Sequence, residues 1–128
     1  MIRTHEAIVV GAGPAGLATS RELTRAGVDH CVLERGDQAG YTWANLYDSL
    51  VLHTGRHLSA LPGLGFPTGT PLFPPRRDFV DYLHRYATAF SPVTPTAMAT
   101  RDMGTVASMA VAITSAPITA AIAMTAID

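Results

Sequence analysis

The 128-residue sequence contains no lysine: all nine basic residues are arginine, set against ten acidic ones. No basic run is longer than Arg76-Arg77, so the clustered positive charge that grips a phosphate backbone is lacking and a nucleic-acid partner is not expected. Cys31 is the one cysteine, which excludes an internal disulfide and a redox-active cysteine pair. Inside an apolar stretch it reads as a small buried side chain of a protein kept in a reducing compartment, the cytoplasm. The first apolar run starts within ten residues of Met1, which leaves no room for the charged, apolar and cleavage regions of a secretory signal. After Phe90 there is no leucine and no aromatic residue; residues 91–128 hold instead ten alanines, seven threonines and four of the five methionines. The 25 uncharged residues between Asp102 and Asp128 are long enough to span a bilayer. Alanine and threonine, however, give little transfer free energy and Pro117 interrupts the run, so a membrane segment is not expected.

What is present is concentrated near the start. Ala7-Ile8-Val9-Val10 runs without a spacer into Gly11-Ala12-Gly13-Pro14-Ala15-Gly16, a short apolar strand followed by Gly-x-Gly-x-x-Gly. Leu17, Ala18, Leu23 and Ala26, with Arg21, Glu22 and Arg25 between them, give a helical pattern over 14–26, and Gly27 stands where a left-handed residue ends it. Val28 to Glu34 reads as a second apolar strand parallel to the first, reached by a right-handed crossover and closing on an acid 18 residues beyond the last glycine. This strand, glycine turn, helix, strand and acid define an ADP-binding βαβ unit. Gly11 permits the turn out of the strand, Gly13 lets the backbone approach a pyrophosphate, and Gly16 lets the helix pack closely on the sheet. Pro14 and Ala15 open the helix whose dipole and free N–H groups face the anion. Glu34 would accept from both ribose hydroxyls and repel a 2′-phosphate, so the site prefers FAD or NAD over NADP.

Gly36 and Gly40 mark a loop that leads to Trp43, the only tryptophan. His53 and His57 are four apart, but Gly55 argues against a helix there and no third ligand has suitable spacing, so no metal site is expected and His53 is either a cofactor neighbour or a surface histidine. Residues 61–75 carry five of the nine prolines and read as an irregular connection, with Pro71 to Pro74 conceivable as a proline-rich ligand. Phe79, Leu83, Tyr86 and Phe90 repeat at i, i+4, i+7 and i+11, one apolar stripe of a helix over 76–90 that would close the unit onto a neighbouring domain.

The glycine motif with Leu17-Ala18, Val32-Leu33-Glu34-Arg35, Trp43, Tyr47-Asp48-Ser49-Leu50, Leu52-His53-Thr54, Leu61-Pro62, Phe66-Pro67 and Phe79-Val80-Asp81-Tyr82-Leu83 with Tyr86-Ala87 and Phe90 resembles the amino-terminal part of the class B flavin-containing monooxygenases, and within them the YUCCA-like branch and its bacterial relatives. The likeness spans residues 6–90. It implies FAD as resident cofactor, with Glu34 and Arg35 at the adenosine half and Thr42, Trp43 and His53 near the flavin. It also implies NADPH- and O₂-dependent oxygenation of a small organic substrate through a C4a-hydroperoxyflavin, with no side chain of residues 1–90 required as acid or base. Where the family has two glycines before the tryptophan, the second is here Tyr41, and Gly55 replaces a proline.

Neither a second dinucleotide motif for NADPH nor the family's histidine-containing motif occurs in the sequence. The expected fold is therefore α/β, an incomplete FAD-binding Rossmann-type unit over 1–90. The tail over 91–128 does not belong to the family and is of the kind an out-of-frame reading of GC-rich DNA gives. Two further readings stand beside the monooxygenase: a non-catalytic remnant of the FAD domain, and another two-dinucleotide flavoprotein such as a reductase or oxidase.

Overall fold

In a computed structural model of the chain, residues 4–90 are described; the readings made for the tail fall outside them. Six elements follow in order: β1 (Ala7–Val10), α1 (Pro14–Arg25), β2 (His30–Leu33), α2 (Tyr41–Ala44), α3 (Arg56–Ser59) and α4 (Arg76–Phe90). β1 and β2 pair in parallel with Ala7 opposite His30 and Val10 opposite Leu33. The pairing runs one residue further where the Gly11 N–H donates to the Leu33 carbonyl at 2.7 Å. The N-terminal end of the pair is clasped by side chains: Glu6 accepts from the Asp29 N–H at 2.9 Å, and His5 meets Asp29 at 3.0 Å.

α1 begins on Pro14, whose missing N–H costs nothing in a first turn, and ends just before Ala26 and Gly27, the latter at φ +71°. Leu17 and Ser20 are its fully buried residues. Ser20 is hydroxylic yet satisfied, its Oγ 2.7 Å from His30 Nε2, so α1 is tied to β2 by a polar contact within the packing. β2 is shorter than the apolar run suggests, because Val28 is used to close the helix, its N–H donating to Leu23 O at 3.0 Å.

α4 occupies the residues its periodicity predicts, but its buried arc is wider than the one stripe. Val80, Tyr82 and Ala87 are buried beside Phe79, Leu83 and Tyr86, which is what a helix covered by two neighbours requires. Those neighbours are α1 and α2, together with the 61–66 segment. Phe79, Leu83 and Tyr86 of the stripe are thus consumed inside this unit, with Phe90 partly buried at its end. Phe66 stacks on Tyr82 with centroids 4.1 Å apart, and Trp43 meets Phe79 edge-on at 4.7 Å. Val9, Leu17, Val32, Leu52, Phe79, Tyr82, Leu83 and Tyr86 form one core.

Residues 61–75 form no regular element but are pinned at several points. Tyr82 Oη accepts from the Leu61 N–H at 2.7 Å and donates to Leu64 O at 2.6 Å, while Tyr86 Oη donates to Pro62 O at 2.6 Å. Further on, the chain pairs loosely antiparallel to residues 50–56: Leu52 N–H donates to Pro74 O at 2.9 Å, Arg56 N–H to Leu72 O at 2.7 Å and Arg76 N–H to Leu50 O at 2.8 Å. Pro74 is fully buried, while Pro71, Leu72 and Phe73 before it are exposed, so the segment is a ribbon anchored on Pro74.

The helices cover one face of the sheet. On the other, Ile8 is 37% and Val10 60% exposed, although parallel strands are ordinarily buried on both faces. The architecture is thus an α/β unit with one sheet face open. No helix among the described residues is long and apolar enough to cross a membrane.

Candidate functional site

The three glycines of the turn differ in what they tolerate. Gly11 sits at φ +95°, a conformation that side chains avoid. A Cβ on Gly16 would lie 1.9 Å from the Gly11 carbonyl oxygen, so the first turn of α1 can lie on the turn only without one. Gly13 has an extended backbone at φ −83°, and a Cβ there would meet nothing within 4 Å. The protein itself does not need a glycine at 13; the open volume in front of it does. No side chain caps α1, and the first intrahelical bond is Leu17 N–H to Gly13 O at 3.0 Å. With Pro14 carrying no N–H, those of Ala15 and Gly16 precede the helix ladder and point out of its positive end.

Glu34 leaves the end of β2 and is 9% exposed. Its two oxygens are divided: Oε2 accepts from the Ala12 N–H at 2.8 Å and Oε1 from the Gly36 N–H at 2.9 Å. A carboxylate oxygen has two lone pairs, so each keeps one acceptor position beyond these bonds. Ala12 also faces the following loop, its carbonyl accepting from the Gly40 N–H at 2.8 Å. One alanine backbone therefore joins the glycine turn, the acid and the loop that starts α2. Sequence reading missed Ala12, whose methyl side chain carries no chemical signal.

This donor set fits a dinucleotide. An open cradle lies before Gly13, N–H donors and a helix dipole face it, and a fixed carboxylate with free lone pairs stands one strand away. Among the remaining expected residues, Arg35 and Thr42 are exposed and Trp43 is half-buried on α2, attached to the turn through Gly40. His53 is exposed on the ribbon of residues 50–56. As the sequence suggests, no helix runs through Gly55: α3 starts only after it, with Gly55 as N-cap at φ −62°. His57 lies in α3 and His53 before it, so the two do not share a helical face. Among the described residues no three His, Cys, Asp or Glu side chains gather where a metal ion could be held. α2 is anchored from α4 by Arg76, which donates to the Ala44 carbonyl and pairs with Asp48. Cys31 is half-buried, and burial followed by the nearby Asp29 carboxylate pushes its thiol pKa up.

Fold and cradle together define an FAD-binding βαβ unit of a flavoprotein, and a family model described as FAD binding domain matches residues 4–43. The sequence is 43% identical over 91 residues to the probable indole-3-pyruvate monooxygenase YUCCA1 of Arabidopsis thaliana, covering 70% of this chain and 22% of that protein. It is 44% identical over 84 residues to the indole-3-pyruvate monooxygenase YUCCA1 of Oryza sativa subsp. japonica, covering 65% and 21%. The flavin-containing monooxygenase of Stenotrophomonas maltophilia superposes with a TM-score of 0.63 at 29% identity, over 67% of this chain and 26% of the other. The bacillithiol disulfide reductase Bdr of Staphylococcus aureus shares the fold at 20% identity, with a TM-score of 0.62 over 67% and 26%. Residues 4–90 thus match the amino-terminal FAD-binding part of class B flavin-containing monooxygenases. The chain spans about a fifth of the length of the curated relatives it matches.

Proposed function

We propose that this chain supplies the FAD site of an NADPH- and O₂-dependent monooxygenase of the cytoplasm acting on a small organic molecule. The observation that carries the reading is the cradle: an unfilled space before Gly13, bounded by a helix start without a side-chain cap and by the doubly hydrogen-bonded Glu34. Gly11, Gly13, Pro14, Ala15 and Gly16 would hold the pyrophosphate and Glu34 the ribose, with Arg35 along the adenosine and Thr42, Trp43 and His53 toward the flavin. When bound, the flavin supplies the redox chemistry, and the protein's share is to orient it and exclude water. The sequence holds no second Gly-x-Gly-x-x-Gly, so residues 4–90 offer NADPH no comparable site, and no residue among them is assigned a catalytic role.

A second reading, an FAD-domain remnant without turnover, is favoured by the open sheet face of Ile8 and Val10 and by a sheet of two strands among the described residues. Purified chain decides between them. A yellow protein that retains FAD and oxidises NADPH with a substrate sinks the remnant, and a colourless one that does neither sinks the enzyme. Residues 91–128 we read as out-of-frame sequence. Downstream DNA showing no second dinucleotide motif in either other frame would overturn that reading.

A further inference from the structure

Position 41 carries a tyrosine whose ring has no evident task in the core, and the structure gives it one. A Cβ placed on Gly36 would lie 2.0 Å from Tyr41 Cγ, 2.2 Å from Cδ2 and 2.4 Å from Cβ. The tyrosine therefore fills the volume a side chain at 36 would take, and Gly36 is buried. Gly36 in turn donates its N–H to Glu34 Oε1 at 2.9 Å. The backbone that carries the ring is held at two points. Its own helix start is fixed by the Gly40 N–H to Ala12 O bond at 2.8 Å, and its carbonyl accepts from Asn45 Nδ2 at 2.8 Å.

We propose that Tyr41 is a positioning residue for the dinucleotide: packed on Gly36, it holds the 34–36 turn so that the Glu34 carboxylate keeps the orientation that meets the ribose hydroxyls. The inference rests on the FAD reading of the cradle. Two physical effects follow from the contact. The Gly36 N–H···Oε1 bond lies buried at the residue the ring packs on, and a low-dielectric setting strengthens such a bond. The ring also stops the turn from relaxing, so the free lone pairs of Glu34 stay aimed into the cradle and need not be ordered when the ligand arrives.

The test uses the full chain and two ligands, FAD and the FAD analogue whose adenosine lacks the 2′-hydroxyl, with Kd read from quenching of flavin fluorescence. In the wild type the analogue binds more weakly, because Glu34 loses a partner. Tyr41→Gly is expected to raise the Kd for FAD by about tenfold, the size of one misplaced hydrogen bond, while the Kd of the analogue changes little, so the ratio of the two narrows. Tyr41→Phe keeps the ring and restores both the Kd and the ratio. Gly36→Ala, which pushes the ring off, narrows the ratio as well, and Tyr41→Gly combined with Gly36→Ala binds no worse than Gly36→Ala alone because the vacated space takes the methyl group. Variants that leave the ratio at its wild-type value, or that weaken both ligands by one factor, overturn the role of Tyr41 alone. A wild-type chain that binds no FAD overturns that role and the FAD reading together.

Discussion

Gly13 and Gly16 stand three residues apart in one motif and are glycine for unlike reasons. Gly16→Ala drives a methyl group into the Gly11 carbonyl at 1.9 Å, so α1 must lift from the turn. The variant should lose about 2 kcal/mol or more of stability, as backbone-strained substitutions do, and show a lower midpoint in thermal unfolding. Gly13→Ala adds its methyl to open space on an extended backbone and, as a change from Gly to Ala at an N-cap, should unfold within about 1 kcal/mol of the wild type. Its affinity for FAD should nevertheless collapse, since the methyl group takes the volume of the pyrophosphate. Equal loss of stability in the two variants would disprove the distinction. Glu34→Gln turns one acceptor into an NH₂ facing a backbone N–H, Ala12 or Gly36, and should cost about 1–3 kcal/mol. The glycine spacing and the acid were legible in the sequence because spacing is itself the signal. The Gly36–Tyr41 contact was not, since it depends on how the intervening loop folds back.

α4 was legible as an element because its stripe repeats with the helical period, yet the sequence concealed what it holds. Tyr82 lies off the stripe, and it is Tyr82 that accepts from Leu61 and donates to Leu64, with Tyr86 donating to Pro62. An aromatic side chain shows its hydrophobic period in the sequence and does not show which carbonyl its hydroxyl will find. The proline-rich segment likewise read as loop, but the burial of Pro74 and the ribbon with residues 50–56 come from long-range pairing that no local pattern encodes. Burial raises the pKa of both phenols, with the Leu61 hydrogen bond opposing it at Tyr82 and Arg21 opposing it at Tyr86. The folded-state values thus lie above the ordinary tyrosine value of about 10, so the stability these groups contribute is whole below about pH 10 and is lost as pH rises through the raised values. Alkaline unfolding should follow, and Tyr82→Phe, already less stable at neutral pH by about 1–3 kcal/mol for its stranded Leu61 N–H, should lose less on going to high pH than the wild type. A variant with the same alkaline dependence as the wild type would remove Tyr82 from this account.

At the scale of the whole molecule, the helices and the 61–75 segment complete one side of the sheet, while Ile8 and Val10 leave the other open. A two-stranded sheet is marginal without packing on a further layer, and the strand ends converge on the cradle, where the Gly11 N–H to Leu33 O bond joins β1 to β2 just ahead of Glu34. A ligand that bridges the glycine turn and Glu34 therefore ties together the carboxyl ends of both strands and, through Ala12 and Gly40, the start of α2. Binding to the folded state alone adds RT ln(1 + [L]/Kd), about 2.7 kcal/mol when the ligand is at about 100 times its Kd. For a unit of this size that shifts the unfolding midpoint by roughly 10–20 °C. FAD should raise the midpoint in proportion to the logarithm of its concentration. FMN, which has the same flavin ring but neither the second phosphate nor the adenosine ribose, should raise it little, because it offers nothing to Glu34. If FMN stabilises the chain as well as FAD does, the flavin is held by its ring and the glycine turn is not the seat of its binding. If neither shifts the midpoint, the cradle of residues 11–16 does not function in this chain.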